Sequence, residues 1–197
     1  MTPERLNAFS DGVIAIIITI MVLELKVPHG TDLAALSPVL PVFVVYVLSF
    51  VVVGIYWNNH HHMLYLTDRV TGGVLWANLH LLFWLSLMPF VTGWMGENHF
   101  APLPTALYGL VLLFAGAAYY ILEQTIIRTP GANARLEAAI GNDAKGKISL
   151  LLYAAAVPLA FVNELISDVI YGVVVLIWLI PDRRIESLFD EADGRVT

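Results

Sequence analysis

Long stretches without a single Asp, Glu, Lys or Arg constrain this chain more than any motif does. They run from Gly12 to Leu23, Leu33 to Thr67, Val70 to Gly96 and Asn98 to Leu122, with shorter ones from Ile148 to Asn163 and Val169 to Pro181. Segments of this length and apolarity match the hydrocarbon thickness of a bilayer, and lipid leaves no solvent to satisfy an open backbone, so they must fold as helices. The sequence therefore predicts an all-α integral membrane protein with six transmembrane helices. We place them at about 5–26, 34–60, 71–96, 102–127, 145–163 and 166–181, within one domain spanning 1–197. The last two runs, at 16 and 13 residues, are thin for spans.

Charge supplies the orientation. With the N-terminus in the cytoplasm, Arg5, Arg69, Arg128, Arg135, Lys145, Lys147, Arg183, Arg184 and Arg195 fall inside and only Lys26 outside, as the positive-inside rule requires. Both termini are then cytoplasmic. The outer loops, 28–37 and 96–104, are short, which leaves no room for an external receptor domain. Thr129 to Gly146 is the longest connection, and the net charge of −6 owes part of its value to a tail with Asp190, Glu191 and Asp193. There is no cysteine, which excludes thiol chemistry. No basic patch suggests nucleic acid, and no internal repeat suggests an inverted-repeat transporter.

The first span carries the most information. Gly12 to Leu23 alone is too short to cross, so the helix must draw Ser10, Asp11 and Arg5 towards the membrane, where ionisable groups face protein or water. At about 100° per residue, Ile16, Ile20 and Leu23 fall within roughly 60° of one another, with Gly12 and Thr19 along the same face. Around an axis of several copies this stripe would form apolar rings that gate by dewetting, with the Thr19 hydroxyl as a polar layer. A lipid-facing or packing surface is the plainer alternative. Asp11 points about 140° away from Ile16, and so towards neighbouring helices.

Arg5-x-x-x-Phe9-Ser10-Asp11 at the start of the first helix resembles the signature of the transmembrane protein 175 family, lysosomal potassium channels and their bacterial relatives. Tyr56-Trp57-x-x-His60-His61 and Leu87-x-Pro89-Phe90 support the likeness, as does a six-helix unit of this length. The resemblance implies a homotetramer around a central pore lined by helix 1 in a prokaryotic plasma membrane. It implies a gate at Ile16 extended by Ile20 and Leu23, and a selectivity layer at Thr19. It also implies a motif network of Arg5, Phe9, Ser10 and Asp11 with polar residues of helices 2 and 3. The chain departs from some relatives at Ala15, where they carry serine, so no hydroxyl site carries over to that position. No carbonyl-cage filter motif is present. Potassium is then the permeant ion, with sodium less favoured, and the partners are the bilayer, monovalent cations and further copies of the chain.

His60, His61 and His62 diverge by about 100° each on a helix and cannot together hold one metal. We expect no metal and no cofactor. Instead His60 or His61, with Asn78 or His80, should meet the Arg5/Asp11 cluster, where an imidazole could respond to pH. Glu24 follows the stripe and could concentrate cations at the outer mouth. Glu123, Asn163, Glu164 and Asp168 read as helix-end groups, and the five tryptophans as an interfacial belt. The function is a cation channel rather than an enzyme. The alternative is a proton-coupled secondary transporter using Arg5, Asp11 and the histidines.

Overall fold

The computed structural model describes residues 1–67, 69–129 and 143–179. The Thr129–Gly146 connection with Arg135, the basic pair at 183 and 184, Arg195 and the acidic tail therefore fall wholly or largely outside the described residues. Seven α-helices are described: α1 Pro3–Met21, α2 Leu40–Tyr65, α3 Gly72–Ser86, α4 Met88–Glu97, α5 Pro102–Ile127, α6 Ala144–Leu159 and α7 Glu164–Leu179. Tight 3-10 turns extend α1 over Val22–Glu24 and precede α2 over Leu33–Val39. Since α3 and α4 form one broken rod, the described chain amounts to six helical rods.

Local chemistry accounts for the starts and the break. The Thr2 hydroxyl caps α1 by accepting from the Arg5 N–H at 3.4 Å, and Pro3 occupies the first turn, where a missing N–H costs nothing. Asp32 caps the 3-10 turn before α2, and Thr71 caps α3, in the same way. The third span, expected as a continuous helix, is interrupted at Leu87. Pro89 cannot donate to the carbonyl four residues earlier and its ring crowds that turn, so the rod breaks just before it.

Four rods are long and apolar enough to cross a membrane: Pro3–Glu24, Leu33–Tyr65, Gly72–Glu97 and Pro102–Ile127. α6 and α7 have 16 residues each, which rise about 24 Å. α1 packs on α2, α3 and α4, while α5 backs onto α3 and α4 and carries α6 and α7 on its far side. Ile14, Ile17, Met21, Leu81, Leu85, Met88 and Leu112 build the core. Gly96 lets α4 close on α2, because a Cβ there would stand 2.5 Å from the Val42 Cα. Buried hydroxyls tie the same region: Thr92 donates to Ser49 at 2.7 Å, and Ser49 shares a 3.0 Å bond with Tyr108. α1 thus lies at one flank of the chain with one face uncovered.

Candidate functional site

α1 divides into two faces. Leu6, Ser10, Ile14, Ile17 and Met21, at steps of four, four, three and four, are buried against α2, α3 and α4. Gly12, Ile16, Thr19, Ile20 and Leu23 are exposed, Ile16 at 58% and Leu23 at 76%. The stripe anticipated from the helical wheel is therefore the face that no other described part of the chain covers. Thr19 donates its hydroxyl proton to the Ile16 carbonyl at 3.0 Å, leaving only oxygen lone pairs for anything outside.

Hydrogen bonds hold the buried face. Asn78 of α3 is the hub: its Nδ2 donates to Ser10 Oγ at 3.0 Å, and Ser10 also donates to the Leu6 carbonyl at 2.9 Å. His60 of α2 lies 2.7 Å from Asn78 Oδ1 through its Nε2. An amide oxygen only accepts, so with the amide in this orientation His60 carries its proton on Nε2. Its Nδ1 is buried and has no partner among the described residues. A second cluster lies nearer the start of α1. There the Trp57 indole donates to Asp11 Oδ1 at 2.9 Å, and Asn7 Nδ2 donates to Asp11 Oδ2 at 3.1 Å. Asn7 Nδ2 also faces His61 Nδ1 at 3.2 Å.

The structure brings together Ser10, Asn78 and His60, and separately Asp11 and His61. Arg5 is exposed and Phe9 projects on the bare face with Ile16, one heptad away, so neither joins the hydrogen-bonded clusters. His80 is exposed and accepts from the Trp84 indole at 3.0 Å, leaving Asn78 as the α3 contribution. Two members escape the sequence reading. Asn7 is one turn from Asp11, a spacing that could have marked it. Trp57 reads from sequence as a motif position and as part of an interfacial belt, with no sign of its partner, yet it fixes the Asp11 carboxylate to α2. Among the described residues no three His, Cys, Asp or Glu side chains gather as a metal site.

At the far end, in the 3-10 turn, the Glu24 carboxylate covers Gly93 of α4; a Cβ there would stand 2.5 Å from Glu24 Oε2. Glu24 lines a groove between α1 and α4 with Ile16, Ile20, Phe90 and Trp94. Beside it Lys26 Nζ pairs with Glu97 Oε1 at 2.5 Å, and that carboxylate raises the Lys26 ammonium above its ordinary value. Both partners are solvent-exposed, so the pair is screened.

A family model for the endosomal/lysosomal potassium channel TMEM175 matches residues 5–89, from the motif arginine to the proline at the helix break. The chain is 54% identical over 191 residues to a potassium channel of Chryseobacterium sp. (strain P1-3), covering 97% of this chain and 100% of that one. It is 32% identical over 183 residues to a potassium channel of Streptomyces collinus (strain DSM 40733 / Tue 365), covering 87% and 89%. Among solved structures it resembles a lysosomal potassium-selective channel TMEM175 homolog from Chamaesiphon minutus. The TM-score is 0.75 and the identity 26%, over 90% of this chain and 96% of that one.

Proposed function

The chain belongs to the family of the endosomal/lysosomal potassium channel TMEM175, and on that footing we propose that it is a potassium-permeable cation channel of the plasma membrane with cytoplasmic termini. In this reading four copies of the single domain, 1–197, surround a pore lined by α1. Ile16 is the principal hydrophobic gate, Ile20 and Leu23 extend it, and Thr19 supplies a polar layer. Ser10, Asp11, His60, His61 and Asn78 make up the hydrogen-bonded part of the motif region that sets the pitch of α1, Arg5 and Phe9 are motif positions outside that network, and Glu24 stands at the outer mouth.

One observation carries the reading: the apolar stripe of α1 is bare while the opposite face is fastened by hydrogen bonds to α2 and α3. A helix held so firmly on one side with Ile16 at 58% exposure on the other has its outer face available to further copies of the chain. Rings of isoleucine and leucine strip part of an ion's water, and hydroxyl oxygens replace a share of it. Such a layer favours potassium over sodium only moderately, because potassium loses its water more easily. Transport needs no cofactor and changes no covalent bond; the named bacterial relatives are likewise channels rather than enzymes.

The test is potassium flux into proteoliposomes, measured beside sodium and a large impermeant cation, with Ile16→Asn in parallel. Flux faster for potassium, and raised or made less selective by Ile16→Asn, is the expected result. Currents whose reversal follows the proton gradient would replace the channel with a proton-coupled transporter.

A further inference from the structure

On the side of the subunit away from the α1 stripe, α2, α5, α6 and α7 enclose a cavity of about 60 Å³ to which α1 contributes nothing. Its wall is aromatic: Tyr56, Tyr119, Tyr120, Tyr153 and Trp178 line it, and Asp143 is the one charged side chain among its described lining residues. Most of the polar side chains there are committed to protein, among them Asn59, Ser149 and Asp143. The Tyr119 hydroxyl donates to the Asn59 carbonyl at 3.3 Å, and the Trp178 indole donates to Ser149 Oγ at 2.9 Å. The hydroxyls of Tyr56, Tyr120 and Tyr153 have no hydrogen-bond partner among the described residues. Gly116 borders the space, and a Cβ there would stand 3.1 Å from Leu150 Cδ2 and 3.6 Å from the Tyr56 oxygen.

Several phenol oxygens without partners inside a membrane subunit call for a guest that can donate to them. Aromatic rings attract cations through their quadrupoles, most strongly where water is scarce. The Asp143 carboxylate, which accepts from the Gly146 N–H through Oδ1 at 3.0 Å, adds the same preference. A primary ammonium group brings three N–H donors, as many as there are free phenol oxygens. The small volume admits a short alkyl chain, which Val52, Val174 and Val175 would cover. We propose that this cavity is a binding site for a small primary alkylammonium ion, taken by the aromatic rings and phenol oxygens, with Asp143 balancing its charge.

The site is separate from the proposed pore, so the two readings fail separately. Ligand-observed NMR on the purified full-length protein in detergent, at fixed potassium and ionic strength, would titrate ethylammonium beside neutral 1-propanol. Saturable binding of ethylammonium alone is expected. Tyr120→Leu should weaken it about tenfold, as the loss of one desolvated cation–π contact implies. Tyr120→Phe, which keeps the ring, should weaken it less. Asp143→Asn should weaken it about threefold, with the amide oxygen still able to accept from the Gly146 N–H. Ile16→Asn should leave binding unchanged. The proposal is overturned by equal binding of 1-propanol, by no saturable signal, by indifference to Tyr120→Leu and Asp143→Asn, or by loss of binding in Ile16→Asn alone.

Discussion

The two faces of α1 are made from similar residues and meet opposite fates. Ile14 and Ile17 are buried, whereas Ile16 and Ile20, interleaved with them, are bare. What separates the faces is their polar companions. The buried face carries Ser10, which finds Asn78, while the bare face carries Thr19, which turns its proton onto its own helix. Apolarity alone cannot orient a helix in lipid, because the tails are as apolar as isoleucine. A few hydrogen bonds can, since their alternatives are unsatisfied groups in hydrocarbon.

Substitutions on the two faces should therefore separate stability from conduction. The largest effect on folding is expected at the hub. Asn78→Ala removes the bonds to Ser10 and His60 and strands His60, while Ser10 keeps its bond to the Leu6 carbonyl; this should cost about 2–4 kcal/mol and appear as a marked fall in detergent melting temperature. A fall no larger than that of a surface change would break the contrast between the faces. Next comes Trp57→Phe, which keeps an aromatic side chain but deprives Asp11 of the indole donor. We expect about 1 kcal/mol, below the usual value for a bond to a charged group because the site is partly exposed. Ile16→Asn should change subunit stability by less than about 0.5 kcal/mol, yet alter flux or selectivity more than either preceding variant. Equal effects on stability and flux would dissolve the distinction. The smallest effect is reserved for the exposed ends: Lys26→Met should leave the melting temperature unmoved. Raising an ammonium's pKa gives stability that is full below the ordinary lysine value and lost only as pH climbs through the raised one. The Lys26–Glu97 pair therefore adds no pH dependence between pH 5 and 9, and a stability curve of Lys26→Met that crosses the wild type's in that window would contradict this.

The runs without charge and the helical wheel were enough to read the rods and the bare stripe, because both depend on spacing along one helix. The partners of Asp11 were not legible. Trp57 and Asp11 meet only through the way α1 lies on α2, and a tryptophan near a helix end has a more ordinary use at the interface. The choice between His60 and His61 dissolves on the same ground: each histidine meets a different amide, Asn78 or Asn7. The break at Leu87 had its signal in Pro89, but membrane helices tolerate proline often enough that the residue alone could not decide it. The contact of Glu24 with Gly93 of α4 was not legible either, because it depends on how two helices lie together and no spacing along α1 signals it.

The back-bond of Thr19 sets how the proposed pore would tell one sign of charge from another. A free hydroxyl is ambivalent, able to turn its proton to chloride or its oxygen to potassium. With the proton locked to the Ile16 carbonyl, each copy of the layer can only accept. Anions would then be refused by a ring that carries no net charge, and the refusal would neither titrate across the physiological range nor fade in strong salt.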